Sequence, residues 1–284
     1  MIDETIEEIE GMYTHSSSVV AVKAARALTD LLDEEYPTAE EYVRALEQNS
    51  SALRRANPSH ASLVTTQNEI VAAVEDAEPD TVEAAKSVTA DAIDAVVERV
   101  EAAKDAAAER VVERLSDGTT ILTHDYSTTV LAALERAVER GYSLDVYVTE
   151  ARPRHLGRKM ARRLAELDGV DATLVVDSAA GYYVGEVEQV LVGIDCIVDD
   201  VLYNRVGTYP IAAVANDAGV PVCATGSSAK IVDGSGFRFE NDFRSPTEVM
   251  REPAEGFEVA NPAYDATPVR LLDAVVTDRG VRTY

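Results

Sequence analysis

From residue 1 to about 115 the apolar positions recur every third or fourth residue, the spacing of one helix face. Ile2, Ile6 and Ile9 share a face, and Gly11 follows as a stop. Ser17 or Ser18 can cap a second helix carrying Val19, Val22, Leu28, Leu31 and Leu32. Pro37 and Pro58 punctuate the next two segments. The longest helix is expected to open on Asp80 as its cap, with Glu83 in the reciprocal position. It carries Ile93, Val96, Val97, Val100, Ala103, Ala107, Val111 and Leu115 inward, and Ser116-Asp117-Gly118 ends it.

After Gly118 the pattern changes to short apolar runs alternating with helical ones. Strands are predicted around Thr119–Thr123, Leu144–Val148, Ala172–Val176, Val190–Val192 and Val220–Cys223. One helix between them carries Val130, Leu131, Leu134 and Val138, and another centres on Met160 and Leu164. Alternation of this kind implies a mainly parallel sheet with helices on both faces. Right-handed crossovers then bring the strand C-termini to one edge. The fold class is therefore α/β, with a helical N-terminal domain over residues 1–117 and a sheet domain over 118–284. No GxGxxG follows the first strand, so no dinucleotide is expected, and no other cofactor signal is present.

Charge sharpens this picture. The 284 residues carry a formal charge of −25, and only 5 of the 26 basic residues are lysine. Acidic residues are spread along the chain, the composition of a protein adapted to molar salt, where screening makes self-repulsion tolerable. Such a surface disfavours general nucleic-acid binding. The acidic start Met1-Ile2-Asp3-Glu4 has no signal-peptide pattern and no run approaches 18 apolar residues, so a cytoplasmic protein without a membrane span is expected. Cys196 and Cys223 sit in apolar runs and read as buried thiols.

Against that charge, cations at one sheet edge need a reason. Asp125, Arg152, Asp177, Asp195, Arg205 and Lys230 all fall at or near predicted strand ends. Ligands of open α/β sheets bind beyond the carboxyl ends of the strands. Arg152, Asn204, Arg205 and Lys230 are candidate ligand-binding residues, and Ser127 and Thr208 begin helices whose N–H groups suit phosphate. Asp195 ends an apolar strand, where a carboxyl can serve as acid or base. Asp199-Asp200 with Asp195 is a weaker reading as a Mg²⁺ site, and no metal is expected. A triad of Ser127, His124 and Asp125 is disfavoured, because the three are too close in sequence to orient one another. His15 and His60 precede predicted helices and read as ordinary polar residues.

Six segments carry a resemblance. They are Thr123-His124-Asp125-Tyr126-Ser127, Val148-Thr149-Glu150-Ala151-Arg152-Pro153, Asp177-Ser178-Ala179, Gly193-Ile194-Asp195, Asn204-Arg205-Val206-Gly207-Thr208 and Asn261–Pro268. Each alone is a weak signal, but in this order and spacing they resemble the alpha, beta and delta regulatory subunits of translation initiation factor 2B. Relatives of that family include ribose-1,5-bisphosphate and methylthioribose-1-phosphate isomerases. The resemblance implies an N-terminal helical domain, a Rossmann-like domain and pairing through the C-terminal part. In the isomerases a cysteine and an aspartate share the proton transfers. Asp195 matches the aspartate, and Asp125 stands where the cysteine would be. Asn204-Arg205 replaces an Asn-Lys pair, and His15-Ser16-Ser17 replaces a phosphate-gripping Arg-Gly pair.

An unperturbed Asp is ionised at neutral pH and cannot donate a proton as a thiol can. Asp125 therefore points to a non-catalytic regulatory homodimer or larger assembly that binds a sugar phosphate or nucleotide and engages the translation initiation machinery. The alternative is an aldose–ketose isomerase with Asp195 and a neutral Asp125 as the catalytic pair. The charge also yields a test. The melting temperature should rise across a potassium chloride series from low to molar salt, and a flat profile would remove the case for salt adaptation.

Overall fold

The computed structural model describes residues 2–10, 17–232, 237–252 and 255–284. Five helices come first: α1 (Ile2–Glu10), α2 (Ser17–Ala27), α3 (Ala39–Ala56), α4 (Ala61–Ala77) and α5 (Val82–Val112). Strands and helices then alternate as β1 (Thr120–His124), α6 (Thr128–Glu139), β2 (Leu144–Thr149), α7 (Leu156–Leu164), β3 (Val170–Val175), α8 (Ala180–Tyr183) and β4 (Gln189–Gly193). The rest is β5 (Cys196–Val198), β6 (Val201–Arg205), α9 (Thr208–Ala218), β7 (Val222–Thr225), β8 (Ile231–Val232), α10 (Pro246–Val249), β9 (Tyr264–Pro268), β10 (Ala274–Thr277) and β11 (Gly280–Thr283). Two compact units result. One comprises Met1–Ala102 with Ala229–Glu240, and the other Ala103–Ser228 with Asn241–Tyr284.

The helical unit is built on the predicted period. Tyr42, Leu46 and Leu53 of α3 pack with Leu28, Leu31, Leu63, Ile70 and Ile93 in one buried cluster. Thr38 caps α3 by accepting the Glu41 N–H, with a glutamate at the capping-box position. His60 is a cap too: its Nδ1 accepts the Leu63 N–H at the start of α4. The cap of α5 is Thr81, whose Oγ1 accepts the Ala84 N–H, rather than the expected Asp80. The helix therefore starts one residue late. His15 and Ser16 lie outside the described residues.

The second unit holds a seven-stranded sheet in the order β11-β10-β7-β4-β1-β2-β3. All its neighbours are parallel except the β10–β11 pair. The order reverses between β1 and β4, which makes the gap beyond their C-terminal ends the switch point of a Rossmann-like sheet. Val130, Leu131 and Leu134 of α6 and Met160 and Leu164 of α7 bury against Ile121, Val146, Val148 and Leu191. A fully buried Leu or Met contributes roughly 1.5–3 kcal/mol.

Between β4 and α9 the chain makes a β-hairpin that the hydrophobic pattern did not reveal. β5 and β6 pair antiparallel across Asp199-Asp200, with φ of 48° and 58° at the two turn residues. That is the geometry of a two-residue primed turn, for which Asp is suited. The acidic pair is thus explained as a turn. β9 pairs antiparallel on the other side of β6, placing Arg205 opposite Tyr264 and Asn204 opposite Asp265.

Two glycines let this unit close. A Cβ on Gly193, the last residue of β4, would lie 2.7 Å from Ser127 Oγ. A Cβ on Gly157 in the first turn of α7 would lie 1.8 Å from the Thr149 carbonyl oxygen. That oxygen is backbone and cannot swing away. Gly157→Ala should therefore destabilise the protein by about 3 kcal/mol or more, the upper range of overpacking. Denaturant unfolding in molar salt checks this, and a loss below about 1 kcal/mol would mean that the α7 start shifts freely.

Candidate active site

The switch point is where the sequence-predicted acids meet. Asp125 directly follows β1 and adopts a left-handed conformation, φ 63°, that Asp tolerates better than most residues. Asp195 follows β4, and Arg205 ends β6. Arg205 Nε lies 3.3 Å from Asp125 Oδ2 and 3.9 Å from Asp195 Oδ2. One guanidinium therefore faces two carboxyl groups. The Tyr264 ring, opposite Arg205 on β9, stacks 4.9 Å from its guanidinium carbon.

Burial separates the two acids. The Asp125 side chain is only 10% exposed, against 29% for Asp195. Desolvation pushes the Asp125 pKa above its ordinary value, Arg205 and His124 oppose the rise, and Asp195 adds to it. The carboxylates and Tyr264 hold the Arg205 proton more firmly than burial loosens it, so its pKa is raised. Tyr264 is also raised, chiefly by burial.

His124 holds this arrangement in place. Its Nε2 lies 3.0 Å from the Val206 carbonyl oxygen and its Nδ1 2.6 Å from Thr149 Oγ1. A carbonyl can only accept, so Nε2 carries the proton and Nδ1 accepts from the threonine hydroxyl. Both ring nitrogens are occupied, which leaves none for a catalytic triad. The ring also sets the approach of the loop after β6. A Cβ on Gly207, where φ is 115°, would stand 2.7 Å from the ring.

The loop after β2 brings in more charge. Asp177, past β3, accepts the N–H groups of Ala151 and Arg152 at 2.7 Å each. It thus fixes the backbone of Arg152-Pro153-Arg154. Ala151 at the head of this loop is buried at φ 57°, a strained position for a residue with a Cβ. Arg152, Arg154, Arg205 and Arg244 line a single pocket with Asp125, Asn261 and Ala263. The enclosed space is about 20 Å³, the room of one water, so a larger ligand meets these side chains at the mouth. Arg154 and Arg244 were not among the expected residues. Nothing in their spacing separates them from the other arginines.

Asn204, Thr208 and Ser127 have hydrogen-bond partners within the fold. Asn204 Nδ2 donates to Thr208 Oγ1, and that hydroxyl donates to the Arg205 carbonyl. The N–H groups of Gly207 and Tyr209 at the start of α9 donate to Asp265. That helix end is filled by a carboxylate, and Asn204 and Thr208 are not among the residues that line the pocket. Ser127 Oγ accepts the Val130 N–H and so caps α6. Lys230 belongs to the helical unit. Among the described residues no group of three or more His, Cys, Asp or Glu could hold a metal ion. No helix there is long and apolar enough to cross a membrane. Cys196 is buried on β5, and burial pushes the Cys223 thiol up to about 12, so neither thiol substitutes at the site.

The fold is an α/β one whose switch point carries paired carboxyl groups. The model of the initiation factor 2 subunit family matches residues 13–284, and the chain belongs to that family. A ribose 1,5-bisphosphate isomerase of Haloferax volcanii is 35% identical over 98% of this chain and 88% of its own. That of Methanocaldococcus jannaschii is 30% identical over 99% and 91%. The solved structure of the Pyrococcus horikoshii translation initiation factor eIF-2B superposes with a TM-score of 0.80 at 23% identity, covering 99% of this chain and 96% of that one. At that identity the likeness is one of fold alone. The expectation of a non-catalytic regulator is overturned, because relatives this similar along nearly the whole chain are named as isomerases. The burial of Asp125, which raises its pKa, also weakens the argument drawn from an unperturbed carboxylate.

Asp125 makes stability depend on pH. Its proton is bound more tightly in the folded state than in the unfolded state, where the pKa is about 3.9. The stabilisation is complete below that value and is lost as pH rises through the folded pKa, about 1.4 kcal/mol for each unit between the two. Asp125→Asn, neutral throughout, should match the native protein near pH 4 and exceed its stability at pH 8. Denaturant melts at the two pH values check this, and an equal difference at both would mean that Asp125 titrates normally.

Proposed function

We propose that the protein is an aldose–ketose isomerase acting on a pentose phosphorylated at C1, of the ribose 1,5-bisphosphate type. The observation that carries this reading is the unequal pair of acids on one guanidinium. Asp125 is buried and pushed towards its neutral form, and Asp195 is the more open. An acid and a base set apart by environment are what this reaction needs.

The chemistry divides between them. Opening the sugar ring breaks the bond between C1 and the ring oxygen, and neutral Asp125 delivers a proton to that oxygen. The hydrogen on C2 moves to C1 with its bonding pair, and the C2 hydroxyl gives its proton to Asp195. The carbonyl then stands at C2, one carboxyl has lost a proton and the other has gained one. Exchange between them resets the enzyme. Arg205, between the two, offsets the negative charge in either state. Asp125 as a neutral acid takes the part that the resemblance gives to a thiol.

Self-association through the C-terminal part belongs to the same proposal. Tyr209 and Val214 on α9 are large apolar side chains left 44% and 39% exposed, which suits a face that a second copy covers.

Ribose 1,5-bisphosphate incubated with the protein in molar potassium chloride should yield the ketose, followed by NMR. Asp195→Asn and Asp125→Asn should each lower kcat about a hundredfold or more, the range for lost proton-transfer groups. Asp125→Cys should keep measurable turnover, because a thiol is also a neutral acid at pH 7. Turnover should fall as pH rises through the elevated Asp125 pKa. A native protein that binds the sugar bisphosphate and leaves it unchanged would end this reading.

A further inference from the structure

Four of the 21 arginines in a chain of charge −25 line one small pocket, although 51 acidic residues are available elsewhere as partners. Arg205 is already held by Asp125, Asp195 and Tyr264. The other three are not satisfied to the same degree. Arg152 Nη2 donates to the Val249 carbonyl at 3.3 Å. Arg244 is only 16% exposed, and its Nε is buried without a hydrogen bond among the described residues, with Asp242 Oδ2 at 3.6 Å. Arg154 has neither an ion pair within 4.0 Å nor a side-chain hydrogen bond among the described residues. Burial, then Arg244 and Arg205, lower the Arg154 pKa, and Glu248 and Asp125 only partly oppose them. Guanidinium groups crowded against one another in a half-buried place raise the free energy of the empty site. A bound dianion relieves that repulsion.

We propose that Arg154 and Arg244, with Arg152, form a phosphate subsite beside Asp125 that holds the phosphoryl group on the reacting end of the sugar. The assignment to that end rests on the isomerase reading above. Asp125 works at the bond between C1 and the ring oxygen, and the three arginines share its pocket, so the phosphate they reach is the one on C1. The loop supports this use. Asp177 pins the backbone N–H groups of Ala151 and Arg152, which fixes where Arg152 and Arg154 leave the chain. On the other wall, Asn261 Nδ2 donates to the Ser245 carbonyl and to Glu248 Oε2, tying together the segment that carries Arg244. Planar guanidinium groups on two fixed segments suit bidentate contact with phosphate oxygens.

Calorimetric titration of the full chain in molar potassium chloride tests this with three probes: ribose 1,5-bisphosphate, ribose 1-phosphate and ribose 5-phosphate. Arg154→Gln and Arg244→Gln should each weaken the first two about tenfold or more and leave ribose 5-phosphate nearly unchanged. Arg154→Lys should fall between, since it keeps charge without the bidentate fork. Melting curves like the native one establish that the variants are folded, and Arg154→Lys serves if a glutamine variant is not. Equal weakening of all three sugars, loss confined to ribose 5-phosphate, or native affinity in the variants would each overturn the subsite. Arginine-dependent binding of the two C1 phosphates without any ketose product would leave the subsite standing and remove the isomerase reading instead.

Discussion

A guanidinium taken out of water must recover its lost hydration from carboxylates, carbonyls or aromatic faces, or its burial is costly. Arg205 recovers it from Asp125, Asp195 and the Tyr264 ring, and each of these arrives on a different strand or strand end. The demand works in both directions. Asp125 stays buried because the cation is beside it, and the cation is tolerated there because two acids face it. Removing Arg205 would leave Asp125 buried without a compensating cation, which is costlier than the pair is stabilising. The gap between β1 and β4 supplies the place where such a group can be assembled.

The helical part and the parallel sheet were legible because their periods are long and regular. Met160, Leu164 and the α6 stripe are buried as their spacing implies. β5 is only three residues long, and β6 (VLYNR) and β9 (YDATP) mix apolar with polar residues, so these strands went unseen. With them went the reading of Asp199-Asp200 as a turn. The return of Ala229–Glu240 to the helical unit has no local signal at all, since it is a matter of tertiary contact.

At the site, Asp125, Asp195, Arg152 and Arg205 could be found because they follow apolar runs. Arg154 and Arg244 could not, because one lies five residues past the end of β2 and the other outside any strand. The functional error had a different origin. Residue identity is written in the sequence, but the dielectric around it is not. Asp125 was judged by its behaviour in water, while its protonation is set by the walls of β1 and the β6 loop. Thr208 and the start of α9 show the reverse case. A helix N-terminus offers itself to any anion, and here Asp265 reaches it first.

That contact has a consequence for the order of assembly. Asp265 and Gly207 are 58 residues apart, and the β6–β9 ladder that positions Arg205 opposite Tyr264 closes over the same interval. The β1–β2 and β2–β3 ladders close across only about 25 residues each, whereas the β1–β4 ladder spans an interval like that of β6 and β9. Loops of greater length close later, because their entropy must be met before their contacts repay it. On a ribosome, a nascent chain that has reached β7 already holds both acids and the arginine but not the strand that seats the arginine between them. The seating of Arg205 between the two acids is therefore a late event in synthesis, one that waits for β9 after β1 to β4 and β7 have been made.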